Sequence, residues 1–193
     1  MKWIYRLIIL TLMVCMQPLT SFADDQAEYY EQVYLTEKQA LTLVFQDLQT
    51  EKREVTPTKE ERKSIQKLLK RKIKDKSFSY FIGKKDNKEM MYAWILDEQG
   101  KHFPMTFIVS LNNKAIVDQV AIMVYREKRG DGVKRKRFLN QFKNKGSSDP
   151  VEIDTDIVHI TGATISSWSI AAGVKKAIIL TEKLILKKSE NSL

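Results

Sequence analysis

Residues 159–170 read HITGATISSWSI, a run of small and hydroxyl-bearing side chains that leads into an apolar segment. Gly162 lets the backbone approach a ligand closely, and Ala163 adds almost no bulk. A helix that begins here presents unpaired N–H groups and a partial positive charge, which together suit a phosphate. The run therefore indicates either a phosphate site or an ordinary helix start with one hydroxyl as its N-cap. The hydroxyls that could bond or carry a phosphate are those of Thr161, Thr164, Ser166 and Ser167.

The same run gives little support to a serine nucleophile. The chain has no GxSxG motif, and the nearest imidazole, His159, lies on a predicted strand without an evident carboxylate to orient it. His102 and His159 are the only histidines, and Cys15 is the only cysteine. Multi-histidine metal sites are therefore excluded, as are disulfides, iron–sulfur clusters and thiol catalysis once a leader containing Cys15 is removed. We expect no catalytic residues and no metal ligands.

The first residues have the pattern of a secretory signal. Two basic residues precede an apolar stretch at 7–16, which is too short to span a bilayer comfortably. Ser21 and Ala23 are small residues at the −3 and −1 positions of a cleavage site. We expect a signal peptide at 1–23 and export to the periplasm or the outer face of the cytoplasmic membrane. The alternative is an uncleaved N-terminal anchor.

The chain is basic, with a net charge of +9. An exported protein has little access to nucleic acid, so the charge favours contact with an anionic membrane surface or an acidic partner protein. The densest basic run is VKRKRF at 133–138, and its alternative interpretation is a solvated helix face.

Two segments near the start carry the signals of capped amphipathic helices. Thr36 with Gln39, and Thr58 with Glu61, have the spacing of capping boxes. Leu35 stands where a hydrophobic staple would begin the first helix. The apolar stripes are Leu41, Val44 and Leu48 in the first helix and Ile65, Leu68, Leu69 and Ile73 in the second.

The hydrophobic period then changes to two, which is typical of strands. Four antiparallel strands are predicted at 77–85, 89–96, 104–111 and 115–125, with tight turns at KDNK and NNK. A short helix with Phe138, Leu139 and Phe142 on its apolar face follows, then an extended segment at 151–160. The closing helix is predicted from 168 onward, with Ile170, Val174, Ala177 and Leu184 along one stripe.

This order of elements predicts an α+β fold, a mostly antiparallel sheet with packed helices. After the signal peptide at 1–23, we expect an N-terminal helical segment at 24–75 and an α+β domain at 76–188.

The run TGATISS resembles the Ser/Thr-Gly-Ala-Thr signature of the FMN-binding domain. That domain occurs in the periplasmic subunits of Na+-translocating NADH:quinone reductase and the Rnf complex, and in small exported flavoproteins. The layout VYLTEKQALTLVF, GKKDNKEMMYAWI, RFLNQFKNK and DIVHITGATISS, followed by a helix, is similar to the small single-domain members. The resemblance covers roughly residues 34–186.

The resemblance implies that FMN is the cofactor and that its phosphate is linked to the hydroxyl of Thr164. A separate flavin transferase, using FAD and Mg2+, makes this link in the family. The implied site comprises Thr161, Gly162, Ala163 and Thr164, with the amides from Ile165 through Ser166 to Ser167 at the phosphodiester. Trp168 is then either a neighbour of the flavin ring or a core residue. The implied role is electron relay with a membrane oxidoreductase or an envelope redox protein, rather than stand-alone enzyme activity.

One position departs from the family pattern. The family places an aspartate three residues before the Ser/Thr that precedes Gly-Ala, and Val158 stands there in this chain. Asp154 and Asp156 lie just upstream. The alternatives are therefore FMN bound without a covalent link, or a flavin-free domain of the same fold that binds a partner protein or an anionic membrane surface.

Overall fold

The computed structural model describes residues 29–187. Helices α1 (Glu37–Phe45) and α2 (Lys59–Leu69) begin at the predicted capping boxes. In α1, the hydroxyl of Thr36 accepts from the Gln39 amide N–H at 3.3 Å, and the Gln39 side chain accepts from the Thr36 N–H at 2.9 Å. These local bonds satisfy N–H groups that a helix start leaves unpaired.

The strands form one six-stranded antiparallel sheet in the order β1-β6-β5-β4-β3-β2. The four predicted strands are confirmed and are the central ones. At the KDNK turn, Asp86 and Asn87 have φ values of 51° and 61°, which suit a two-residue hairpin turn of type I′. The strand bounds are Gln32–Val33 (β1), Gln49–Val55 (β2), Phe78–Lys85 (β3), Lys88–Gln99 (β4), Pro104–Asn112 (β5) and Val117–Tyr125 (β6).

Both edge strands were missed by the sequence analysis, and both come from the segment 24–75. β1 is only two residues long. β2 reads QTEKREV and pairs with β3 along its whole length. Its Arg53 lies 2.9 Å from Glu89 of β4, so the charges of this edge are partly paired across the sheet.

Helices cover both faces of the sheet. One face packs α1, through Ala40, Val44 and Phe45, against Phe81, Ala93, Ile108, Ala121 and Met123. The other face forms the larger core with Ile65 of α2 and the closing helix α4 (Thr164–Leu180), which continues as a π-helical segment, Thr181–Leu186. The predicted stripe Ile170, Val174, Ala177 and Leu184 is buried there. The buried Trp94 of β4 donates to the Thr181 hydroxyl at 2.8 Å and so ties the sheet to this helix.

The short helix α3 (Lys136–Leu139) is flanked by two 3₁₀ turns, Asp131–Lys134 and Asn140–Phe142. The helix buries Phe138 and Leu139, and the second 3₁₀ turn buries Phe142, as predicted. The expected strand at 151–160 is wrong: this segment folds into a tight turn, in which only Ile153 and Ile157 form an isolated bridge.

Within 29–187, no helix is both long enough and apolar enough to cross a membrane. The predicted signal peptide at 1–23 lies outside the described residues.

Candidate functional site

The hydroxyl-rich run forms the start of α4, which begins at Thr164 rather than at 168. Residues expected to be loop, from Ile165 to Ser167, therefore lie in the first helical turn. The N-cap is Ala163, which makes no side-chain cap bond. The interpretation of this run as a hydroxyl-capped helix start is thus wrong, and its hydroxyls are left for other roles.

Ser167 holds the loop against the helix. Its hydroxyl donates to the Ala163 carbonyl at 2.9 Å and accepts from the Ile160 N–H at 3.1 Å, and the residue is fully buried. Because both bonds stay within the chain, this hydroxyl is committed to the fold and is inaccessible to a ligand.

Ser166 is also buried, and it connects α4 to strand β6. Its hydroxyl lies 2.9 Å from the phenol oxygen of Tyr125, which donates to the Arg129 carbonyl at 2.8 Å. Burial raises the pKa of the Tyr125 phenol, and the hydrogen bond with Ser166 acts in the opposite direction. The phenol therefore stays protonated at neutral pH and can keep donating to Arg129.

Gly130 lets the chain pass close to this network. Its φ is 91°, and a Cβ at this position would lie 2.4 Å from the Tyr125 hydroxyl. A side chain here would therefore meet both an unfavourable backbone conformation and a steric clash. The start of α4 and the loop after β6 are in this way fixed to each other.

The other members of the predicted site face solvent. Thr161, Gly162, Thr164 and Ile165 are exposed, whereas Ala163 is buried. Gly162 has a φ of 80°, and a Cβ there would meet nothing within 4 Å, so the space beside the loop is open.

Thr164 combines an accessible hydroxyl with free backbone donors. Across residues 29–187, no hydrogen bond is made by its hydroxyl or by the N–H groups of Thr164, Ile165 and Ser166. The Ser167 N–H, by contrast, already donates to the Ala163 carbonyl at 2.9 Å. The amides available to an anion are therefore those of 164–166, one residue earlier than expected. A 17-residue helix with three free N–H groups beside a hydroxyl fits a phosphate linked to that hydroxyl.

The turn at 151–160, which precedes the hydroxyl-rich run, is held by a carboxylate. The Asp156 carboxylate accepts from the N–H groups of Val151 and Glu152 and pairs with Lys145 at 2.9 Å. Burial acts to raise the pKa of Asp156, but these N–H bonds and Lys145 outweigh it, so the pKa is lowered. This carboxylate is engaged in the turn and does not replace the aspartate that the family places at 158.

Val158 is 71% exposed. The Gln141 side-chain amide donates to the Val158 carbonyl and accepts from the Val158 N–H. His159 does have a carboxylate partner, contrary to expectation: its Nδ1 lies 3.0 Å from Asp154 Oδ1. Within the described chain this ring makes no hydrogen bond to a serine or threonine hydroxyl, so the pair lacks a nucleophile. Residues 29–187 also contain no cluster of three or more potential metal ligands.

Trp168 lies one helical turn after Thr164 and is 50% exposed, so its interpretation as a core residue is wrong.

The basic run has two parts. Lys134 bonds Asp131 at 2.7 Å and the Tyr34 hydroxyl at 3.0 Å. Arg135, Lys136 and Arg137 are exposed and, as far as the structure describes the chain, form no ion pair or hydrogen bond through their side chains.

Residues 100–179 match the family model of the FMN-binding domain. The matched segment includes the start of α4 with Thr164. This match supports FMN as the cofactor of the protein. No curated protein sequence matches the chain.

Proposed function

We propose that the protein is an exported flavoprotein that carries FMN on Thr164 and relays electrons in the cell envelope. The observation that carries this proposal is the exposed hydroxyl of Thr164 next to three free amide N–H groups, within the segment that matches the FMN-binding domain. Among the four hydroxyls of the run, two are buried in structural bonds and Thr161 precedes the helix. Only Thr164 joins an accessible hydroxyl to the helix start.

The attachment needs a flavin transferase with FAD and Mg2+ as co-reactants. The pyrophosphate bond of FAD breaks, a phosphoester bond forms at the Thr164 oxygen, and AMP leaves while the transferase takes the hydroxyl proton. No base from this chain is required, because the transferase accepts the proton. The free N–H groups of 164–166 then stabilise the remaining negative charge of the phosphodiester.

Flavin supplies the electron-transfer chemistry when bound, and the protein contributes binding, orientation and electrostatics. A membrane oxidoreductase or an envelope redox protein would be the electron partner. The predicted signal peptide supports placement in the periplasm or at the outer face of the cytoplasmic membrane.

A flavin-free binding domain is the second candidate function. Three adjacent exposed cations, Arg135, Lys136 and Arg137, favour it because they are free to contact an anionic membrane surface or an acidic partner. Val158, at the usual aspartate position, also favours it if the transferase needs that carboxylate.

Co-expression with a flavin transferase in an exporting host separates the two. We expect a mass increase of one FMN and a fluorescent band on a denaturing gel, both lost in Thr164→Ala. Thr42→Ala is the matched control, since it removes an exposed threonine hydroxyl on α1, outside the proposed site, and should keep the flavin. Unmodified protein under active transferase would refute the covalent link, and flavin lost on denaturation would indicate non-covalent binding.

A further inference from the structure

A groove runs beside Trp168, between the end of α2 and the first turns of α4. Its volume is about 190 Å3. The apolar lining comes from three parts of the chain. These parts contribute Leu69 at the end of α2, Val151 and Ile153 from the turn at 151–160, and Trp168, Ala171 and Ala172 from α4.

The groove and the proposed attachment point share helix α4. Thr164, Trp168 and Ala172 follow each other at intervals of four residues, with Ala171 and Lys175 on the same side of α4. Residues at this spacing lie on one face of a helix, so Thr164 lies on the same face of α4 as the residues that line the groove. Trp168 lies about 6 Å along the helix axis from Thr164. A ribityl chain of five carbons can span that separation.

The groove is also positively charged. Lys175 bonds Glu152 at 2.7 Å at the rim, and Arg71 makes two bonds, at 2.6 and 2.7 Å, to the nearly buried Glu98. The hydrogen bond with Lys175 lowers the pKa of Glu152, and the bond with Glu98 raises the pKa of Arg71, so Glu152 and Arg71 stay charged at neutral pH. Lys70 is a further cation, 4.0 Å from Glu152, so three cations at the groove face two carboxylates and the net charge there is positive. Such a lining complements the electron-rich carbonyl edge of a flavin.

We propose that this groove seats the isoalloxazine ring of the FMN attached at Thr164, with Trp168 stacked against one ring face and the cationic rim at the carbonyl edge. This inference rests on the proposed function. It explains why a tryptophan is half exposed on an otherwise well-buried helix: its free face is a platform for the flavin.

The test uses the full chain carrying FMN, with the FMN mass verified in every variant. Trp168→Ala removes the platform, and Ala172→Leu fills the groove while leaving Trp168 in place. Leu43→Ala is the matched control, because Leu43 is an exposed apolar residue on α1, across the sheet. The readouts are flavin fluorescence, which stacking on tryptophan quenches, and circular dichroism in the visible flavin bands, which requires a fixed ring.

We expect the native protein to show quenched flavin fluorescence, relieved on denaturation, together with a visible dichroism signal. Loss of stacking should reduce the ratio of docked to free ring by roughly tenfold in Trp168→Ala. Ala172→Leu should also lose the dichroism, and Leu43→Ala should keep both signals. Equal fluorescence and dichroism in all four proteins, each with one FMN attached, would overturn the groove assignment alone. A native chain that takes up no FMN under active transferase would overturn the proposed function and this inference with it.

Discussion

Removing the Ser167 hydroxyl should destabilise the protein without preventing flavin attachment. Removing the Thr164 hydroxyl should prevent flavin attachment and leave the stability nearly unchanged. The two residues lie three positions apart in the same helical turn. One hydroxyl is buried with two hydrogen bonds, and the other is exposed with none in the described chain.

The structure sets the magnitudes. Ser167→Ala removes two hydrogen bonds worth about 1 kcal/mol each and leaves the Ile160 N–H without its acceptor. The higher helix propensity of alanine offsets about 0.5 kcal/mol of this. The net loss in the free energy of unfolding is therefore about 1–2 kcal/mol, which lowers Tm by about 2–8 °C in a chain of this size. Thr164→Ala changes an exposed side chain and should stay within about 0.5 kcal/mol.

Urea unfolding of the unmodified proteins, monitored by far-UV circular dichroism, measures the first effect. Mass spectrometry after co-expression with the transferase measures the second. A Thr164→Ala protein that loses as much stability as Ser167→Ala would show that the Thr164 hydroxyl is part of the fold. A Ser167→Ala protein of unchanged stability would refute the hydrogen-bond reasoning.

Three further predictions follow from the same structure. Gly162→Ala should lower the free energy of unfolding by about 1–2 kcal/mol because of its positive φ alone. Gly130→Ala should lower it clearly more, as measured by urea unfolding, since its Cβ would also clash with Tyr125. Equal losses in the two variants would contradict the close approach of Gly130 to Tyr125. The lowered pKa of Asp156 implies that its contribution is complete above its unfolded pKa of about 3.9 and is lost as pH falls through the lower folded value. Asp156→Asn should therefore cost about 1–3 kcal/mol at pH 7, and the deficit should shrink below pH 4; a pH-independent deficit would contradict this linkage. Neutralising residues 135–137 should weaken binding to vesicles of anionic lipid at low salt and leave stability unchanged, and binding equal to that of the parent would identify these cations as solvated charge.

Local chemistry made much of the fold predictable. The capping boxes at Thr36 and Thr58 use bonds between residues three apart, so the sequence contains the whole signal. The hairpin turn at Asp86 and Asn87 is likewise a local preference for positive φ. The central strands could be predicted because their alternation reports burial directly.

The turn at 151–160 could not be predicted in this way. Its β-branched residues have the composition of a strand, but Asp156 draws the backbone N–H groups of Val151 and Glu152 into a tight turn, and Lys145 fixes the carboxylate from another part of the chain. β2 was missed for a related reason: its residues are mostly polar, and only its pairing with β3 makes it a strand.

At the site, the residue types were informative but their allocation was not. The four hydroxyls within residues 161–167 look equivalent in the sequence. Tyr125, forty-one positions before Ser166, determines that Ser166 is structural, and the Ile160 N–H does the same for Ser167. The exposure of Trp168 could not be predicted from the sequence either, because it depends on where α2 ends relative to α4.

The edges of the sheet bear on how copies of this protein meet at high concentration. An open edge with unpaired backbone groups is a template for adding a strand from another chain, which is a common route to aggregation. Here β1 is too short to serve as one, and β2 places Glu51, Lys52, Arg53 and Glu54 along the opposite edge. An incoming strand would have to match this mixed row of charges residue by residue. The charged residues of β2 and the shortness of β1 therefore both disfavour the joining of sheets from two copies.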